Sequence, residues 1–366
     1  MPAALASGYQ GPPELTLTRA FTQWTADPWM IALVVLLGGC YIAGVRRVHR
    51  GGDRWATGRV VAFAGLGLGF LVLATMSWIG VYQGILFYAR ATQTVLLVLL
   101  VPLFLAMGRP LTLAIAALPG AGRRIGAVIR SRPAKVLTFP AVTTFALVAV
   151  PFSMYFTSWY TAVFHSTAIR ELTYLALMAP GFAFFWTLLR VDPVPKAYSY
   201  GVSMWITGAE VIGDAFFGIA VIAYTSLIGG AYYQALGRPW GPSLKTDQVI
   251  GGGVLWILGD LVGLPFLAVQ LIQLMREDQA EAERVDAELD ARDAAQAARA
   301  AVAGTSGPSG PAEAAEPGTA EPGTAAPGAV APGAAAPGVA APPDPADGDR
   351  PWWEEDPRFT GRFKPT

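Results

Sequence analysis

Three acids stand in stretches otherwise too apolar for charge: Glu210 and Asp214 within residues 201–225, and Asp260 within 248–275. Positions 210 and 214 are four apart, so on a helix they share one face. An ionised carboxylate in hydrocarbon is costly, so such groups turn into a helix bundle and share protons, a cation, or hydroxyl and backbone partners. A hard or borderline cation held by two or three oxygens fits these residue types, making Glu210, Asp214 and Asp260 the candidate metal ligands. Protonated carboxyls that only staple helices together fit them equally. Gly213, Gly251, Gly252, Gly253 and Gly259 would allow the close helix approach that both readings require. Other chemistries are poorly supplied. The chain has two histidines, His49 and His165, too few for a multi-histidine metal site or a bis-histidine haem. Its single cysteine, Cys40, excludes disulfides and thiolate zinc within one chain. Met76, Met107, Met154, Met178 and Met204 are spread singly through apolar stretches, a pattern of packing rather than of soft-metal ligation. No glycine-rich phosphate loop and no G-x-S-x-G elbow occurs, so an enzyme is not expected.

The elements that hold these residues follow from composition. Hydrophobic residues make up 53% of the chain and charged residues 14%, and the apolar residues come in long blocks. A lipid bilayer is the solvent this composition fits. Blocks at 29–45, 60–80, 92–107, 136–157, 172–190, 201–225 and 248–275 predict an all-α, polytopic bundle of about seven transmembrane helices. The third is short, and Arg90 at its edge is expected to snorkel to the interface. Four regions result: a polar segment 1–28 with no signal-peptide pattern, the membrane domain 29–275, a charged helix 276–302, and an Ala/Pro/Gly-rich tail 303–366. Repeats such as PGTA, APGA and APGV in that tail cannot bury a core, and disorder is expected there. Its closing segment, PWWEEDPRFTGRFKPT, is either a short linear motif or a functionless end.

Charge in the connections orients the bundle. Fourteen Lys and Arg fall in one set of alternate connections, from Arg46 to Arg276, against five in the other: Arg19, Arg90, Arg170, Arg238 and Lys245. The positive-inside rule then places the N-terminus outside and the C-terminus in the cytoplasm of a multi-pass membrane protein. The net charge of zero hides this asymmetry and says nothing about nucleic acid, and no nucleic-acid partner is expected. The outer connections are also the aromatic ones, as headgroup-level belts are.

The stretch from Tyr232 to Asp260 feeds a polar, aromatic loop into the last span. Tyr233, Trp240-Gly241, Asp247-Gln248, Gly251 or Gly252, and Trp256 resemble the Y, W-G, D-Q, G and W pattern of the CtaG-like membrane family associated with cytochrome c oxidase assembly. Pro102 to Leu105 with Gly108 and Pro110, and Trp159-Tyr160 through Phe185-Trp186, are similar to further pieces of that family. The resemblance implies support for assembly or copper loading of a respiratory oxidase, with oxidase subunits as partners and copper as the metal. It also implies histidines where this chain has none. The family's H-M-x-Q-H aligns with Arg90, Ala91, Thr92, Gln93 and Thr94, and its two later histidines align with Arg170 and Tyr174. A guanidinium is a permanent cation with no lone pair to give, so Arg90 and Arg170 cannot ligate a metal. Arg90, Gln93, Arg170, Asp247 and Gln248 are therefore outer-face candidates for other roles: Arg90 and Arg170 to pair with Glu171 or Asp247 or to receive an anionic group, Asp247 to cap the last span and pair with Lys245 or Arg170.

Overall fold

The computed structural model describes residues 9–129, 131–194 and 200–305. Among them are helices and connections and no strand. Short α1 (Leu17–Thr22) leads to α2 (Pro28–Arg50), which starts where Asp27 accepts the backbone N–H groups of Trp29 and Met30 and Pro28 fits the first turn. The next rod is α3 (Thr57–Val60), a π-helical stretch Val61–Gly67, and α4 (Leu68–Met76), ended at Ser77 before α5 (Trp78–Tyr82). Another follows as α6 (Phe87–Val95), π-helical Leu96–Leu100 and α7 (Val101–Met107). After it come α8 (Pro110–Ala117), α9 (Pro119–Ile129) and α10 (Arg132–Leu137). Then α11 (Pro140–Phe156) bends by 72° into α12 (Trp159–His165), followed by α13 (Thr167–Leu189), α14 (Tyr200–Ala223), α15 (Gly230–Leu236) and α16 (Leu244–Thr305).

Six helices are long and apolar enough to cross a membrane, or seven if the bent pair α11–α12 is one span. The protein is thus an all-α, polytopic membrane bundle. Its third span is not short: the rod begins at Phe87, five residues before the apolar block, because Asp247 caps its first turn from across the bundle. The G-x-P at the end of that rod turns the chain. Arg109 takes a left-handed φ of 54° and Pro110 opens α8, while Gly108 lies so close to Phe63 that a side chain would collide with the ring. At this end Asp192 performs the same service for α8 that Asp247 performs for α6, accepting the N–H groups of Leu111 and Thr112.

Glycines set the closest contacts. Gly181 of α13 sits on the carbonyl of Val98 in the second π stretch, with no room for a Cβ. Gly252 of α16 and Gly218 of α14 face each other at backbone distance, and Gly251 packs on Phe87. Gly213 makes room for Val148 of α11. Gly253, in contrast, faces open space.

The chain divides into two units, Met1–Ala298 and Arg299–Thr366. Of the second, only the end of α16 is described; the expected tail disorder and the Trp352-Trp353 segment lie outside the described residues. The charged helix foreseen at 276–302 is continuous with the last span and exposed over residues 276–299, carrying ion pairs Arg284–Glu281 and Arg292–Glu288 on its surface. Such pairs contribute little stability each.

Candidate functional site

The Asp247-Gln248 pair is the joint at one end of the bundle. Asp247 stands in the first turn of α16 and is 1% exposed. Its two carboxylate oxygens accept the N–H groups of Phe87 and Tyr88, each at 3.1 Å, so it caps α6. A negative charge at a helix N-terminus is favourable, and Arg238 completes the balance at 3.3 Å. The expected partners were Lys245 and Arg170; Arg238 takes that place because its side chain folds back from the 237–243 loop, with Nη2 also donating to Pro242 O. Lys245 donates instead to Tyr224 O, and the start of α16 is capped by Ser243, which accepts from Thr246 N. Gln248 works on the other side. Its Oε1 accepts from Ile228 N at 2.8 Å, and its Nε2 donates to the carbonyls of Val221, Tyr224 and Ser226, satisfying the end of α14.

One turn into α6 lies Arg90. It is 0% exposed, so the expected snorkelling does not occur. The guanidinium turns inward because acceptors wait there: Nη1 donates to Gln93 Oε1 at 2.7 Å and Gln83 Oε1 at 2.9 Å, and Nη2 approaches Met154 Sδ at 3.3 Å. Gln93 donates onward to Ala74 O and to the Tyr174 hydroxyl, and Gln83 donates to Tyr174 as well. Thr94 donates back to Arg90 O and meets the Tyr155 hydroxyl. Among the described residues Arg90 forms no ion pair with an acid; neutral dipoles and the Phe164 ring, 5.9 Å away, surround its charge. Beside it the Tyr160 and Tyr233 hydroxyls share a hydrogen bond of 2.8 Å. Burial pushes the Tyr233 phenol well above its ordinary value, so it serves here as a neutral hydroxyl.

Arg170 stays apart from this network. It is partly exposed and pairs with Glu171, as anticipated, at 3.0 Å, and with Asp27 at 3.5 Å. The two motifs thus contribute Arg90, Gln93, Thr94 and Tyr174 to one place, and Arg170 to another. Sequence reasoning missed Gln83, Tyr155, Met154 and Arg238 as members of these networks. Met154 and Tyr155 are recruited across the bundle from α11, whereas Gln83 and Arg238 lie only seven and nine residues from the groups they contact and are brought in by the turns between.

The intramembrane acids form a second polar centre, on the α14–α16 contact. Glu210 is buried, with the Asp214 carboxyl beside it one turn along α14. Two glycines of α16 make the space: a side chain at Gly259 would strike Asp214 Oδ2, and one at Gly263 would crowd Glu210 Oε2. Asp260 Oδ1 is buried without a partner. Farther along the same contact Thr207 donates to Gln270 Oε1 at 3.1 Å. Among the described residues no three His, Cys, Asp or Glu side chains are grouped so as to hold a metal.

The copper that the family resemblance implies does not fit the donors at the Arg90 end. A guanidinium with no lone pair lies at its centre, Met154 offers one thioether already facing that cation, and the nearby oxygens are amides and phenols. His165 stacks edge-on to Tyr232, while His49 lies on the other side of the sequence's first span and accepts from Trp55 N.

Comparison with known proteins identifies the family. Residues 39–277 match the model of the cytochrome c oxidase caa3 assembly factor family, Caa3_CtaG. Curated relatives include an uncharacterized protein of Mycobacterium bovis, Mb0105, and one of Mycobacterium tuberculosis, MT0111, each 30% identical over 292 residues, covering 78% of this chain and 44% of the relative. An uncharacterized protein of Mycobacterium leprae, ML1998, is 29% identical over the same length. The chain therefore spans less than half the length of the curated relatives it matches. No solved structure matches it. With the match running from the first span into the last and the D-Q joint built as described, this chain belongs to the cytochrome c oxidase caa3 assembly factor family.

Proposed function

We propose that the protein supports assembly of a cytochrome c oxidase-type complex in a bacterial plasma membrane, through contacts of its helices and loops with oxidase subunits and without a reaction of its own. The family match over residues 39–277 carries this reading. The Arg90 network supports a metal-free version of it, because the charge that a bound cation would bring is already there as a fixed guanidinium. Copper delivery through the Arg90 end is not part of the proposal. The bundle faces its client with the α15 end on the outside and the C-terminal helix in the cytoplasm, as the excess of basic residues in the alternate connections favours. The test is deletion of the gene followed by measurement of assembled oxidase, its haem and its copper. Loss of assembled oxidase, restored by the wild-type gene and not by added copper salt, is expected; an oxidase of unchanged amount and metal content would overturn the proposal.

A second reading rests on the α14–α16 acids, where the Glu210–Asp214 pair and the unpartnered Asp260 oxygen offer carboxylates to a cation or small polar solute. A Glu210→Gln, Asp214→Asn, Asp260→Asn triple variant separates the two. If it purifies with as much metal as wild type and restores the oxidase, the acids only join helices.

A further inference from the structure

The end of α2 and the face of α8 enclose a cavity of about 790 Å³, within the ~300–1,000 Å³ range of small-molecule sites. Its walls are apolar, formed by residues such as Leu37, Phe63, Leu113 and Ala117. Leu113 of α8 lies against Gly44 of α2 in its wall. One end of the cavity is different in kind. Arg47 and Arg50 line it, one helical turn apart on the last turn of α2, where that span reaches the membrane surface. Both are exposed, and among the described residues neither forms an ion pair. Asp53 lies close in sequence but pairs with neither. Two further arginines, Arg46 and Arg54, lie close in sequence but do not line the cavity. The partial negative charge at the end of α2 opposes an anion, but it amounts to about half a charge against two full ones.

We propose that this cavity is a binding site for an anionic phospholipid, with the phosphodiester between Arg47 and Arg50 and an acyl chain along the α2–α8 walls. Charge complementarity names the occupant: two unpaired guanidiniums at the interface recognise a phosphate bidentately, and an apolar cleft continuing inward from them takes a hydrocarbon chain. A zwitterionic lipid would bring its own cation into the same basic site. Binding there would also fill the gap beside α2, whose outer face is the least covered of the spans.

The experiment is native mass spectrometry of the full chain, delipidated in detergent and titrated with phosphatidylglycerol or phosphatidylcholine. At least tenfold tighter retention of phosphatidylglycerol is expected in the wild type, lost in Arg47→Gln/Arg50→Gln and kept in Arg46→Gln/Arg54→Gln. Equal retention of the two lipids by wild type, or undiminished preference in the Arg47/Arg50 variant, would overturn the proposal. Should that variant fail to fold, Ala43→Trp, at an exposed α2 position that lines the cavity, keeps both arginines and fills the cleft. Loss of phosphatidylglycerol at an unchanged melting temperature is then expected, and undiminished retention overturns the site.

Discussion

Asp247 shows how one residue can serve two distant parts of the chain. Its carboxylate takes two backbone N–H groups from a helix 160 residues earlier and pairs with a guanidinium nine residues before it. Both members of that pair are almost fully enclosed, with side chains 1% and 3% exposed. Removing one partner of a buried pair leaves the other charge uncompensated, which costs about 3–5 kcal/mol. Asp247→Ala is therefore expected to lower the thermal midpoint of the purified protein sharply, while Asp247→Ala combined with Arg238→Met recovers part of the loss. A single variant that melts with wild type would refute this. Arg90 is the contrasting case. It too is buried, but its charge is solvated by amide oxygens, a thioether and an aromatic ring, with no acid in contact. The two glutamines orient it, and their own amide groups are held by Tyr174 and Ala74 O.

At the level of elements, the bundle is assembled where helices lose either a side chain or a regular turn. The π stretches Val61–Gly67 and Leu96–Leu100 each carry an extra residue within a turn, and each lies against a glycine contact: Gly108 over Phe63, and Gly181 over Val98 O. A methyl at position 181 has to displace backbone, which is stiff. Gly181→Ala should destabilise by roughly 1–3 kcal/mol through overpacking, whereas Gly253→Ala, which points into open space, should be neutral or slightly stabilising because alanine is the better helix former. Equal melting temperatures for the two variants would show that the α13 contact has more slack than its geometry indicates. The same logic explains the α14–α16 seam. Gly259 and Gly263 are the complement of Asp214 and Glu210, so acids and glycines on the two helices are halves of one contact.

For the molecule as a whole, the two ends of the bundle are closed by parallel devices: Asp247 caps α6 at one end and Asp192 caps α8 at the other. Each brings a carboxylate from a late part of the chain to the start of an early helix, so the early and late spans are locked together at both membrane surfaces. Which surface faces out is a property of the whole chain, set by the summed charge of its loops. In a Cys40→Ser background, Ser243→Cys is expected to react with a membrane-impermeant maleimide on intact cells, and Ala287→Cys only after the cells are opened. The reverse pattern would invert the protein in its membrane.

Lipid as the solvent, the helical class and most of the spans were readable from the sequence, because each depends on local composition and a length of about 20 apolar residues. So were the D-Q pair as a focal point and the shared face of Glu210 and Asp214, which follow from spacing alone. The start of the third span was misplaced because the residue that fixes it, Asp247, is remote in the chain. Arg90 was expected at the interface because composition does not say which way a guanidinium turns: Gln93 lies on the same helix and Gln83 seven residues earlier, but the interior they face is completed by Met154 from α11. Pattern and composition act over a few turns, whereas the partner of a buried charge depends on how loops fold back and how helices pack: the 237–243 loop carries Arg238 to Asp247, and α11 brings Met154 to Arg90. Only the tertiary structure decided that Arg238 would neutralise Asp247 and that Tyr174, not Arg170, would join the Arg90 network.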